Sequence, residues 1–200
     1  MPNSTKEQVT AVILTGGRGR RMGGQDKGLI TFAGQPLIKH ILAAITPQAA
    51  TVMINVNRNE ETYAAYGHWV ISDELNDYQG PLAGFSVALK AATTPFVFVL
   101  PCDGPNIPDD LVARLMNTLV DEDADITVAH DGERMQPVYA LIKTTLLSDL
   151  LQFLSTGERK IDRWYAQHKT ALADFSDMPT IFHNINTPEQ HDHLQQLTQA

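Results

Sequence analysis

Residues 14–28, LTGGRGRRMGGQDKG, put Arg18, Arg20, Arg21 and Lys27 into one glycine-rich run whose only acid is Asp26. Cations packed this closely repel one another unless an anion lies between them. Glycines let backbone N–H groups approach a phosphate. The chemistry this stretch suits is the holding of a phosphorylated ligand. Far downstream, Asp103 ends the apolar run FVFVLPCD and offers hard oxygens. Magnesium often takes one or two such carboxylates together with substrate phosphates. Asn55 and Asp73 stand at the ends of two more strand-like runs, so three polar positions emerge from extended segments.

Spacing excludes two familiar phosphate loops. A P-loop needs Gly-Lys-Ser/Thr after a four-residue gap; Gly19 and Gly24 have the gap, but Gln25 and Asp26 follow. A dinucleotide fingerprint from Gly17 and Gly19 puts its third glycine at Met22, and the second strand ends in Asn55 and Asn57 without the required carboxylate. A flexible, solvated surface loop is the plain alternative. It fits poorly, because the stretch directly follows a buried strand at the edge where open α/β sheets bind ligands.

Composition narrows the function further. The 200 residues are 43% hydrophobic, which supports a substantial core, and the net charge of -8 argues against nucleic-acid binding. Cys102 is the sole cysteine, so no disulfide closes within the chain. It reads as a buried thiol, since a phosphatase-type nucleophile would want arginine where Pro108 stands. His191 and His193 read as surface residues. No apolar run reaches 18 residues and the first ten residues carry no secretory pattern, so a cytoplasmic protein is expected, with no membrane span.

The elements that must position these residues alternate. VTAVIL (9–14), TVMINVN (51–57), WVISD (69–73) and FVFVL (96–100) read as strands. PLIKHILAAI (36–45), a short segment from Glu60 to Tyr66, GPLAGFSVALKAA (80–92) and PDDLVARLMNTLV (108–120) read as helices. GLITFAG is a small extended segment. ITVAH (126–130) and PVYALI (137–142) pair around the turn DGERMQ, helices follow over 144–155 and 159–168, and Thr187 caps a last one. The expectation is one α/β domain over 1–200: a three-layer αβα, Rossmann-like fold on a mostly parallel, mixed sheet. Its two parts are about 8–105 and about 106–190.

LTGGRGRRMGGQDKG resembles the signature of nucleotidyltransferases that join a nucleoside triphosphate to a phosphorylated acceptor, and best of all that of the bacterial molybdenum cofactor guanylyltransferases, a MobA-like group. The resemblance continues, in order, through NVNRNEE (55–61), ISDE (71–74), YQGPLAG (78–84), PCDGPNIP (101–108), HDGER (130–134), TGER (156–159) and NINTPE (184–189). Thr15 departs from it, since the family usually has alanine there, at a position contributing mainly backbone.

The resemblance implies transfer of GMP from GTP to the terminal phosphate of molybdenum-molybdopterin, with pyrophosphate released and Mg2+ required. It implies that Leu14, Thr15 and Gly16 meet the nucleotide through backbone while Gly17 and Gly19 let the chain approach it closely, that Lys27 contacts the triphosphate and that Arg21 helps hold phosphate, with Arg18 and Arg20 weaker candidates. Asn55 and Asp73 would contact GTP, and Asp103 would bind both nucleotide and metal. Gly80, Gly84, Asn184 and Asn186 are the acceptor-side candidates. Lys27, Arg21 and Asp103 are the residues expected to carry catalysis. Implied partners are the two substrates, molybdopterin-synthesis proteins and apo-molybdoenzymes or their chaperones; a monomer is expected. The rival readings are a cytidylyltransferase for the same cofactor, a sugar-phosphate nucleotidyltransferase and a non-catalytic nucleotide sensor.

Overall fold

In the computed structural model, which describes residues 4–15, 26–73, 80–185, 187 and 189–190, β1 (Val9–Leu14) is buried at every position. A strand buried on both faces belongs at the centre of a covered sheet, and β1 lies there. It pairs in parallel with β4 (Thr51–Asn55) on one side and β6 (Phe96–Pro101) on the other. The antiparallel hairpin of β2 (Thr31–Phe32) and β3 (Gln35–Pro36) stands apart; β2 lies in the small extended segment read at GLITFAG, whereas β3 takes in Pro36, where the helix read over 36–45 was expected to begin. The main sheet adds β5 (Trp69–Ile71), β7 (Ile126–His130), β8 (Met135–Lys143) and β9 (Thr170–Asp174) in the order β5-β4-β1-β6-β8-β7-β9. Only β8 runs against the rest, so the sheet is mixed but mostly parallel, as expected.

Alternating side chains on the central strands feed two cores. Val9, Ala11 and Ile13 of β1 join Phe98 and Leu100 of β6 under α1 (Leu37–Ile45) and α4 (Leu111–Asp121). Val12, Leu14, Val97 and Val99 face the opposite way, under α3 (Pro81–Ala91) and α5 (Leu147–Ser155), where α6 (Ile161–Tyr165) adds the buried Trp164. Helices on both faces of one sheet make three layers. The short α2 (Glu60–Ala64) connects β4 to β5 and buries Tyr63.

One strand of the main sheet was not expected. β9 pairs in parallel with β7 at the sheet edge, and Leu172 is half exposed there. Alanines and a solvent-facing leucine carry none of the β-branched signal that marks the central strands. Elsewhere the differences are at ends: the strand read over 51–57 stops at Asn55, and the helix read over 144–155 begins with a short tight turn at Thr144–Leu146.

Candidate active site

Chain order fixes where ligands go. From β1 the chain adds β4 and β5 outward, then returns to lay β6 on β1's other side, so the topological switch falls between β1 and β6. Crevices beyond the carboxyl ends of strands at such a switch are where open α/β sheets bind ligands. Register brings the ends level, because Leu14 lies beside both Asn55 and Pro101, and Asn55 beside Ile71. Thr15, Asn55, Asp73 and Asp103 therefore come out at one edge.

Thr15 is buried, and both its backbone N–H and its hydroxyl donate to the Asn55 carbonyl, at 3.0 and 2.8 Å. The hydroxyl that alanine would lack is thus satisfied internally. Asn55 itself is buried and donates Nδ2–H to Asp73 Oδ1 at 2.9 Å. Asn57 donates to the other oxygen, Asp73 Oδ2, at 2.8 Å. Gly84 of α3 completes this corner by having no side chain: a Cβ would lie 2.8 Å from Leu14 Cδ2 and 3.0 Å from Asn55 Oδ1. Gly80 caps α3 at φ 80°, a left-handed backbone that suits glycine, with open space around it.

Across the switch point, Lys27 donates Nζ–H to Asp103 Oδ2 at 2.8 Å, and the pair is mostly shielded from solvent. The other carboxylate oxygen, Asp103 Oδ1, is buried without a hydrogen-bond partner among the described residues. Two further buried atoms in the same state, Tyr139 Oη and Asn184 Oδ1, gather around Gly104, where a Cβ would collide with the tyrosine oxygen and lie 3.1 Å from the asparagine oxygen. The Ile185 N–H donates to the Asp103 carbonyl at 2.8 Å, which docks the late asparagine segment on this strand end. Unpartnered buried oxygens are costly unless something fills their place. A carboxylate and an amide carbonyl are the hard donors a small divalent cation prefers. Among the described residues no cluster of three or more His, Cys, Asp or Glu could hold a metal. Burial, and next the charge of Asp103, hold the Tyr139 hydroxyl protonated well above its ordinary range. Burial does the same to the Cys102 thiol, which leaves it inert as a nucleophile.

The structure thus brings together Leu14, Thr15, Lys27, Asn55, Asp73, Gly84, Asp103 and Asn184 at one sheet edge. Gly16, Gly17, Arg21 and Asn186, with Arg18 and Arg20, lie outside the described residues. Sequence reasoning missed Asp26, whose side chain is almost wholly buried and whose partners are Tyr63, Asn59 and Arg58. The signal was there in part: a lone acid beside Lys27, in an otherwise cationic loop, needs a reason.

A mostly parallel αβα sheet with a lysine–carboxylate pair at its switch point defines the class as an α/β nucleotidyltransferase fold. Solved structures agree on it. A molybdopterin-guanine dinucleotide biosynthesis protein A from Archaeoglobus fulgidus superimposes with a TM-score of 0.81 at 20% identity, covering 95% of this chain and 98% of that one. A 4-diphosphocytidyl-2C-methyl-D-erythritol synthase from Anaerococcus prevotii does so with 0.76 at 12% identity, over 99% and 100%. Residues 11–171 match the family described as the MobA-like NTP transferase domain. Proteins named molybdenum cofactor guanylyltransferase from Shewanella sediminis and Shewanella loihica are 51% and 49% identical, each over 96% of this chain and 97% of its own length. The chain belongs to this family, the MobA-like nucleotidyltransferases called molybdenum cofactor guanylyltransferases, and it is an enzyme.

Proposed function

We propose that the enzyme transfers GMP from GTP to the terminal phosphate of molybdenum-molybdopterin in a Mg2+-dependent reaction that releases pyrophosphate. The observation that carries the reading is the Lys27–Asp103 pair at the switch point, with Asp103 Oδ1 open beside it. The guanine and pterin halves are supported by the names of relatives at about half identity. The fold alone does not choose a base, since a cytidylyl enzyme shares it.

The nucleophile is a phosphate monoester whose second pKa of about 6 leaves it mostly dianionic at neutral pH. It needs no general base, and Cys102 and Tyr139, both held protonated, supply none. A phosphate oxygen of the acceptor attacks the α-phosphorus of GTP, and the bond to the β-phosphate oxygen breaks. The protein's work is alignment and charge neutralisation. Bound Mg2+ would be held by Asp103, with Asn184 as a further oxygen donor, and would neutralise charge on the nucleotide phosphates. Lys27 would exchange its Asp103 oxygen for a triphosphate oxygen, and Arg21 would add a second cation. Leu14, Thr15, Gly16 and Gly17 would pass backbone along the nucleotide, and Asn55 with Asp73 would hold its guanosine end. The acceptor would lie toward the 106–190 side, against Asn184 and Asn186. Gly80 and Gly84 would shape the floor between the two substrates. Apo-molybdoenzymes or their chaperones, and molybdopterin-synthesis proteins, would be the partners of a monomeric, cytoplasmic enzyme.

Melting with GTP, CTP, UTP and ATP, each with and without Mg2+, tests the nucleotide half. A ligand at 100 times its dissociation constant stabilises by about 2.7 kcal/mol. Stabilisation by GTP that needs Mg2+ supports the assignment. A larger shift with CTP or UTP overturns it.

A further inference from the structure

Lys27 sits between two residues that Tyr63 fixes. On one side the buried Tyr63 hydroxyl donates to Asp26 Oδ1 at 2.5 Å. On the other, Gly28 lies so close to the same hydroxyl that any Cβ there would collide with it. Asp26 Oδ2 accepts from Asn59 Nδ2 at 3.0 Å and faces Arg58 Nε at 3.5 Å. The Asp26 carbonyl then accepts the Leu29 N–H at 3.1 Å, and the Lys27 carbonyl the Ile30 N–H at 3.2 Å, which closes a single tight turn. The middle residue of Asp-Lys-Gly is the one whose side chain reaches across to Asp103. A buried carboxylate is an expensive way to join two elements, since apolar groups of similar volume usually do so at no loss of stability. It does, however, fix direction, because a carboxylate with three partners allows few orientations.

The end of β4 and the loop after it supply two of those partners and the ones at the other end of the site. Asn55 and Asn57 hold Asp73, while Arg58 and Asn59 hold Asp26. One five-residue segment therefore ties the Asp73 corner to the Lys27 turn.

We propose that Tyr63, acting through Asp26, is a positioning residue of the transfer reaction: it sets the backbone at Lys27 so that the ammonium reaches the triphosphate. The proposal rests on the assignment of Lys27 to that triphosphate. Pre-set orientation of a charged group is worth most in the reaction it serves, so its loss shows in nucleotide binding and turnover more than in folding.

The test is a double-mutant cycle on the full chain. Tyr63→Phe, Lys27→Ala and the double variant are compared by GTP dissociation constant in MgCl2 and by the melting temperature of the ligand-free proteins. Tyr63→Phe is expected to weaken GTP about ten-fold, equivalent to 1.4 kcal/mol, and to add no further loss when Lys27 is already alanine. Asp26→Asn, which keeps the shape, is expected to behave the same way and stands in if Tyr63→Phe fails to fold. An unchanged GTP constant in both variants, or a full ten-fold loss that persists on top of Lys27→Ala, overturns the proposal. Should Lys27→Ala itself leave GTP binding intact, the assignment of Lys27 fails and the proposal falls with it, a result distinguishable from the other two.

Discussion

At the scale of single residues, Asp103 and Lys27 carry the largest expected effects. Asp103 is the one described carboxylate at the switch point with a buried, unpartnered oxygen, and Lys27 neutralises its other oxygen. Removing one fixed electrostatic group from such a site typically costs about 10²–10³ in turnover. Lys27→Ala is expected to lose roughly that much kcat, and Asp103→Ala to lose measurable Mg2+-dependent turnover altogether; steady-state pyrophosphate release reads both. Gly84→Ala acts by volume instead. Its methyl would press on Leu14 and Asn55. Overpacking of this kind costs about 1–3 kcal/mol, visible as a lower Tm. Both catalytic candidates were legible in the sequence because Asp103 follows a recognisable strand and Lys27 stands in a glycine-rich run, each with a side chain suited to metals or anions. Asp26 was not, because its hydrogen-bond partners Asn59 and Tyr63 lie 33 and 37 residues further on. Pairings at that distance leave no periodic trace.

At the scale of elements, the strands that carry the site were legible and an edge strand was not. β1 and β6 are apolar at nearly every position, the mark of strands covered on both faces. β9 is an edge strand of short and half-exposed residues, so it offers no such run. Its place is held from outside, by the Arg114 guanidinium of α4 over the Phe175 ring at 4.3 Å and paired with Asp177 at 2.8 Å. α4 matters more through its buried face. Leu115 is fully buried in the core that also backs β1 and β6. Leu115→Ala is expected to cost about 2–5 kcal/mol. At roughly 2–4 °C per kcal/mol for a domain of this size, calorimetry should show a clear fall in Tm. The same helix packs chiefly on β7, β8 and β9, so kcat at low temperature is expected to stay near that of the parent protein. The late NINTPE segment was legible as a motif, and its packing became visible only in three dimensions, where Ile185 bonds to the Asp103 carbonyl.

For the whole molecule, charge is the governing quantity. The net charge is -8, while residues 14–28 concentrate four cations against one acid, a local imbalance that favours anionic ligands over that stretch. Acid should undo the fold through the carboxylates. Hydrogen bonds from Lys143, from the Arg134 backbone N–H and from Arg114 hold Asp125, Asp131 and Asp177 below the ordinary carboxylate range. The backbone N–H groups of Arg159 and Ser176 do the same for Glu158 and Asp174. Groups whose folded pKa is depressed add stability above their unfolded value of about 4, and lose it as pH falls through the folded one. Denaturant midpoints are therefore expected to hold from pH 7 to about 5 and to decline below 4. A midpoint that rises on acidification would contradict this.

The central claim is the transfer itself, and following the α-phosphate tests it most directly. GTP labelled at the α-phosphorus is incubated with the enzyme, Mg2+ and molybdenum-molybdopterin. The expected result is label on the terminal phosphate of the pterin, with one pyrophosphate released for each label transferred, and neither product from the Asp103→Ala protein. Label that stays with GTP, or transfer seen only when α-labelled CTP replaces the labelled GTP, would contradict the account.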